Sequence, residues 1–180
     1  MSFFSKLFGK GKTLPDEPAR DPSPPRVPVK RKYATAYLCP DRLMIHSLTQ
    51  TDFGIFACEP FQRLDREAPP EEIARCIRCS LDAFRTQRDM PGAEEVRKSW
   101  LAGMGVKSNA QLQRTALCVG ISQAAGLEFE PTHNGGTAGD SKGFQPIPGI
   151  EPLRVSLDSS PAEIGAALLK AFSLCTTVYA

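Results

Sequence analysis

The chain has 180 residues, 41% of them apolar and 23% charged, a composition typical of one soluble domain with a tail. No apolar run approaches the roughly 20 residues that span a bilayer, and the N-terminus lacks the pattern of a secretory signal, so we expect a cytoplasmic location. In that compartment the six cysteines are expected to remain free thiols.

The charge is divided unevenly along the chain. Residues 1–32 carry eight basic and three acidic residues, a net charge of +5, and the remainder carries 14 basic and 17 acidic residues, a net charge of −3. A domain that binds nucleic acid usually has a basic patch on the fold itself. The acidic balance after residue 32 therefore argues against nucleic acid as a partner.

Residues 1–32 are predicted to be a basic, proline-rich, disordered leader. Six prolines fall between Pro15 and Pro28, where few bulky apolar residues are available to bury, and this favours an extended linker. Before the linker, four apolar side chains share one helical face beside several lysines: Phe3, Phe4, Leu7 and Phe8. This pattern is typical of a short membrane-surface helix but also of an unstructured start, and the sequence leaves both interpretations open.

Residues 33–180 are predicted to form a single α+β domain, a mostly antiparallel sheet with helices packed on it. Three short runs separated by turn signals predict a meander: Tyr33–Leu38, Arg42–Leu48 and Phe53–Cys58. A helix is predicted from about Pro70 to Thr86. Its apolar stripe would be Ile73, Ile77, Leu81 and Phe84, with Arg85 and Arg88 near its end.

The second half predicts two more helices, then strands, then a final helix. The spacing favours a helix over Ala93–Met104 with Val96, Trp100 and Leu101 buried, and Ser108 to Gln111 is a candidate capping box for a short third helix. Further elements are predicted as strands near Leu117–Ile121, Leu127–Glu130 and Leu153–Leu157, with a glycine-rich loop over His133–Gly143. Ser160, Pro161 and Glu163 form a strong start signal for the final helix.

Three features invite a chemical interpretation. Cys76 and Cys79 have CxxC spacing, but no second ligand pair matches them, so we interpret them as packing residues and expect no metal or cofactor. His46 lies among apolar strand residues and is interpreted as a packed histidine. His133 stands in a glycine-rich loop that matches neither a nucleophile elbow nor a phosphate loop, so a surface loop is favoured over a catalytic one. We predict that the protein is not an enzyme.

Two carboxylates alternate onto one face of a predicted strand. Glu128 and Glu130 flank Phe129, which is expected to face the core, so both acids should face solvent. This pattern is typical of a solvated strand face, and it also fits the rim of a site for a basic partner.

Three segments in order resemble the immunity proteins of contact-dependent growth inhibition, the CdiI family. They are Trp100–Ser108, then Gly126–Pro131 with the glycine-rich loop ending at Phe144, and finally Ser160–Leu168. The resemblance covers most of residues 33–175 and excludes the leader. It implies a non-catalytic protein without cofactors that binds and neutralises a C-terminal toxin domain, usually a nuclease, in bacterial competition.

With that function in view, we predict that the toxin binds an acidic strand and the loop after it, at Glu128, Glu130, His133 and Asp140. The alternative is a membrane-surface adaptor, in which the Phe/Lys leader makes weak peripheral contact with lipid and the domain recruits a protein. The sequence determines neither the toxin nor the oligomeric state.

Overall fold

A computed structural model describes residues 31–88 and 92–179 as an antiparallel sheet with four helices packed on it. The predicted α+β class is confirmed. The candidate membrane-contact residues Phe3, Phe4, Leu7 and Phe8 lie outside the described residues, so the adaptor alternative stays a prediction. Within the described ranges, no helix is long and apolar enough to cross a membrane.

The elements follow one another as β1 (Lys32–Leu38), β2 (Arg42–Thr51), β3 (Gly54–Asp65), α1 (Pro70–Asp82), β4 (Arg85–Thr86), α2 (Ala93–Met104), α3 (Asn109–Thr115), β5 (Leu117–Gln123), β6 (Leu127–Asn134), β7 (Phe144–Pro146), β8 (Leu153–Val155), α4 (Pro161–Leu174) and β9 (Thr176–Thr177).

The predicted meander is confirmed and forms one side of the sheet. The strands lie in the order β3-β2-β1-β5-β6-β7, with β8 antiparallel to β6 and the short strands β4 and β9 parallel to β2 and β6. The β2–β3 hairpin is longer than predicted, since β2 continues to Thr51, which pairs with Gly54 at the tip, and β3 continues to Asp65, which pairs with Arg42. The tip therefore projects as a paired ribbon rather than as a loose loop.

Helices α1 and α4 pack side by side on one face of the sheet. Their apolar stripes meet the strand residues of that face in one buried cluster, which includes Ile45, Ile73, Phe129, Ile164 and Leu168. The two helices approach closely at Gly165, where a Cβ atom would lie 2.0 Å from the carbonyl oxygen of Pro70. A side chain cannot fit there, so this approach requires glycine.

The start of α4 follows its sequence signal. The Ser160 hydroxyl accepts a hydrogen bond from the Glu163 amide, and the Glu163 carboxylate accepts one from the Ser160 amide. The predicted capping box is thus confirmed. At α3 the Ser108 hydroxyl also accepts from the Gln111 amide, but the Gln111 side chain accepts from the Lys107 amide, one residue before the cap.

Helices α2 and α3 cover one end of the opposite face. A second buried cluster joins Met44 of the sheet to Met104 of α2 and Leu112 of α3. The predicted buried face of α2 is only partly right. The residues predicted to be buried, Val96, Trp100 and Leu101, are half-buried, and the buried residue of the helix is Met104. Both helices lie over the Tyr37 end of the strands, since Tyr37 and Trp100 pack against the same cluster.

The predicted length of α1 is wrong at its C-terminal end. The helix ends at Asp82, and Arg85 and Thr86 pair with β2 instead of continuing it. Phe84 packs its ring edge-on against Tyr33, with 5.5 Å between ring centroids. Arg85 and Arg88 therefore lie beyond the C-terminus of α1 rather than near its end within the helix, because the tertiary contacts of this segment outweigh its helical pattern.

Candidate binding groove

A groove of about 1200 Å³ lies on the end of the sheet face that α2 and α3 leave uncovered. Its floor is formed by strands β1, β5 and β6, including Tyr33, Ser122 and Glu128. The tip of the β2–β3 hairpin forms one wall, and the segment from β7 to β8 forms the other. None of the lining residues belongs to a helix, so strands and turns alone shape this surface.

The hairpin wall is held by local hydrogen bonds at its tip. The Thr51 hydroxyl donates to the carbonyl of Gly54 at 3.1 Å and accepts from the Phe53 amide at 3.2 Å. Gly54 has a φ of +150°, which side-chain-bearing residues rarely adopt. This turn projects Phe53 into solvent, where 77% of the residue is exposed.

The opposite wall is a proline-rich turn between β7 and β8. The Ile150 amide donates to the Ile147 carbonyl at 3.2 Å, and Gly149 between them has a φ of +79°. Pro148 and Pro152 restrict the backbone on either side of the turn. As a result Ile150 stands 43% exposed on the wall that faces the hairpin tip across the groove.

The floor of the groove carries a small network of charges centred on Glu128. Its carboxylate accepts hydrogen bonds from Arg154 at 3.2 Å and from the Ser122 hydroxyl at 3.3 Å, and the Arg31 guanidinium lies 3.4 Å away. Partly exposed pairs of this kind contribute less than about 1 kcal/mol each, so their main effect is to orient the side chains. The groove is acidic on balance, with Asp52, Glu128, Glu130 and Glu151 against Arg31 and Arg154.

The four predicted site residues fall into two groups. Glu128 and Glu130 both line the groove, on the strand face that the alternation predicted. His133 points to the opposite face of β6, where its Nδ1 lies 2.8 Å from the Thr176 hydroxyl in β9. Asp140 is exposed in the glycine-rich loop. The structure brings the two glutamates together and leaves His133 and Asp140 outside the groove.

The glycine-rich loop is shorter than predicted and closed by its own backbone. His133 and Asn134 belong to β6, and the Gly135 amide then donates to the Gly143 carbonyl while the Gly143 amide donates to Gly136, both at 2.8 Å. The Asn134 side chain donates to the carbonyls of Gln113 and Ala116. The loop is thereby fastened to the end of α3, away from the groove walls.

His46 and Cys76 pack in the interior as predicted, whereas the prediction that Cys79 packs there is wrong, since Cys79 lies on the exposed side of α1. His46 is buried between the rings of Tyr37 and Phe61, at 5.8 and 5.4 Å between centroids, and its Nδ1 lies 2.8 Å from the Ser47 carbonyl. Burial lowers the pKa of His46 to about 4, so the ring is neutral at physiological pH. Cys76 lies in the core, where burial raises the pKa of its thiol, whereas Cys79 faces solvent.

Sequence reasoning missed the most exposed part of the groove. Phe53 was assigned to a strand and Ile150 to no element, yet both stand at turns on facing walls. A large apolar residue directly between two turn-forming residues, as in Asp52-Phe53-Gly54, was the available signal. In the structure this side chain stands at the tip of the hairpin, where none of the described core residues covers it.

Comparison with known proteins yields one family and two similar solved structures. The family model described as CdiI, CDI immunity protein, matches residues 32–175. The protein of unknown function NMB0488 from Neisseria meningitidis is 21% identical, with a TM-score of 0.67 over 82% of this chain and 96% of that one. The CdiA-CT/CdiI toxin and immunity complex from Yersinia pseudotuberculosis is 16% identical, with a TM-score of 0.66 over 82% of this chain and 99% of that one. At these identities the structural likeness establishes the fold alone. No curated protein matches the sequence significantly.

Proposed function

Because this chain belongs to the family of CDI immunity proteins, we propose that it binds and neutralises the C-terminal toxin domain of a contact-dependent growth inhibition system. The groove between the hairpin tip and the β7–β8 turn would receive the toxin. We further propose that the toxin is a nuclease and that neutralisation takes place in the cytoplasm. The observation that carries the proposal is this acidic groove with an exposed apolar residue on each wall.

The apolar residues on the walls are suited to act as binding anchors. Protein interfaces are dominated by a few central apolar or aromatic side chains that become fully buried in the complex. Phe53 and Ile150 are two of the four large apolar residues that stand exposed among the described residues, and both line the groove. A partner that enters the groove would remove both from water at once.

The charge of the groove favours a basic partner. Its excess of two negative charges comes from residues of the floor and both walls, including Glu130 and Glu151. Nucleases bind a polyanion through Lys and Arg, so an acidic groove complements such a surface and speeds association. The similar structure from Yersinia pseudotuberculosis is a toxin and immunity complex, which supports a toxin as the class of partner. The proposed interface keeps Glu128 and Glu130 and leaves out His133 and Asp140.

A growth assay tests the function. The cognate toxin domain is expressed in a susceptible bacterium with and without the full chain. We expect growth to be rescued and a stable complex to form between the purified proteins. Continued killing despite soluble full-length protein, with no complex detected, would contradict the immunity function.

Charge reversal tests the placement of the interface. The variant Glu130→Lys with Glu151→Lys should weaken toxin binding, whereas the matched control Glu94→Lys with Glu95→Lys, on the exposed start of α2, should not. Melting temperatures of both variants show whether the fold is intact. If the two variants bind the toxin equally, the groove is not the interface.

The nature of the toxin is tested separately. The purified toxin domain should degrade DNA or RNA, and the full chain should inhibit it at a molar ratio near one. A toxin that leaves nucleic acids intact, but whose killing this protein still prevents, would contradict the nuclease proposal and leave the immunity function standing.

A further inference from the structure

We propose that Glu128 is the residue of the groove that receives a basic side chain of the toxin, and that Arg154, its partner in the free protein, gives way to that side chain. This exchange of partners rests on the proposed function, since the toxin is the protein that supplies the basic side chain. It gives the two residues opposite effects: Glu128 strengthens toxin binding, and Arg154 weakens it.

The strand register fixes Glu128 on the floor of the groove. On β6 it lies directly opposite Ser122 of β5 on one side and Arg154 of β8 on the other. The Ser122 hydroxyl donates to Oε2 of the carboxylate at 3.3 Å, and Nε of Arg154 donates to Oε1 at 3.2 Å. Side chains directly opposite on paired strands have Cβ atoms only about 5 Å apart. Both carboxylate oxygens are therefore held by cross-strand neighbours before a partner arrives.

The two members of the ion pair differ in exposure. The side chain of Glu128 is 25% exposed, whereas that of Arg154 is 71% exposed. Arg154 is joined to the carboxylate through Nε, and an exposed pair of this kind contributes little to stability because water competes for both groups. Arg154 can therefore move into solvent at small cost, while the carboxylate of Glu128 stays in place.

Filling of the groove favours the exchange. A toxin that covers the floor removes water from Glu128, and a carboxylate without water needs a cation beside it. Arg31 already lies 3.4 Å from Oε2, so a basic side chain of the toxin would be the third cation at this carboxylate if Arg154 stayed. Repulsion among these cations grows as water leaves. Departure of Arg154 relieves the repulsion, and an incoming guanidinium can bind the carboxylate through two parallel hydrogen bonds.

A double-mutant cycle tests the exchange. The Kd for the purified cognate toxin domain is measured with the full chain and with its variants Arg154→Gln, Glu128→Gln and the combination of the two. Arg154→Gln should lower the Kd about threefold, and Glu128→Gln should raise it about 30-fold. In the double variant the gain from Arg154→Gln should disappear, because no carboxylate remains for which the two cations compete.

Two substitutions that change the charge by the same amount serve as matched controls. Lys142→Gln removes one positive charge outside the groove, and Glu151→Gln removes one negative charge from the groove wall. Lys142→Gln should leave the Kd within about twofold of the wild-type value, and Glu151→Gln should raise it by less than about threefold. Melting temperatures of all variants show whether the fold is intact.

NMR spectroscopy of the full chain with isotope-labelled arginine observes the departure of Arg154 directly. The Nε–H signal of Arg154 is identified by its absence from the spectrum of Arg154→Lys. In the free protein this signal should shift in the Glu128→Gln variant, because the hydrogen bond to the carboxylate is altered. A saturating amount of toxin should move the wild-type signal toward its position in Glu128→Gln.

Three outcomes overturn the inference: an Arg154→Gln variant that binds the toxin no better than the wild type, an equal gain from Arg154→Gln with and without the Glu128 carboxylate, or an Arg154 signal that the toxin leaves in place. In each of these the toxin still binds the wild-type protein, so the immunity function stands. Absence of binding to the wild-type protein would instead contradict the proposed function and, with it, the exchange.

Discussion

Truncation of the aromatic residue at the hairpin tip should weaken toxin binding by more than an order of magnitude. Phe53 is 77% exposed in the free protein, so about three quarters of the residue is available to be buried by a partner. Full burial of a phenylalanine side chain contributes up to about 3 kcal/mol, so the exposed share corresponds to about 2 kcal/mol. We therefore expect Phe53→Ala to raise the Kd for the toxin about 30-fold.

The measurement is isothermal titration calorimetry of the full-length variant with the purified toxin domain. Val178→Ala is the matched control, because Val178 is an apolar residue that is 55% exposed but lies outside the groove. Neither substitution should change the free energy of unfolding by more than about 0.5 kcal/mol, since both side chains are exposed. Urea denaturation of each variant checks this condition.

Two results would refute the reasoning. One is an unchanged Kd for Phe53→Ala at full stability, which would place the hairpin tip outside the interface. The other is an equal loss of affinity for Val178→Ala, which would mean that the toxin does not select the groove. Ile150→Ala provides an independent check, since this residue stands on the facing wall and is 43% exposed.

Three further predictions concern the fold. His46 has a pKa of about 4 in the fold and about 6.5 unfolded, so the unfolded chain takes up its proton first as the pH falls. The free energy of unfolding should therefore drop by about 3 kcal/mol between pH 6.5 and pH 4. Urea denaturation across that window should show that the free energy of unfolding of His46→Phe depends less steeply on pH. An equally steep pH dependence in the variant and the wild type would contradict the low pKa of His46. Gly165→Ala should destabilise the protein by about 2 kcal/mol through overlap with Pro70, whereas Gly92→Ala, with no atom within 4 Å of its Cβ position, should be nearly neutral in the same assay. Ser160→Ala should cost about 1 kcal/mol by removing the cap of α4, visible as a lower thermal midpoint; an unchanged midpoint would mean that the cap is dispensable.

Local chemistry was enough to predict several elements. The start of α4 depends on three nearby residues whose hydrogen bonds close within one turn, so Ser160, Pro161 and Glu163 specify it without help from the rest of the fold. The meander was predicted for a similar reason, because strand runs separated by turn residues favour antiparallel neighbours. The end of α1 was predicted wrongly because it depends on contacts of Phe84 and Arg85 with distant strands.

The sequence by itself determined the fold class, the core faces of α1 and α4 and the family, since periodicity, capping and an ordered set of segments are properties of neighbouring residues. It also placed Glu128 and Glu130 on one strand face, because side chains alternate along a strand. Only the tertiary structure decided that Phe53 and Ile150 face one another across these acids, and that His133 does not. The physical reason is that a groove is a gap between elements. Its shape depends on which parts of the sheet the helices leave uncovered, and no local pattern encodes that.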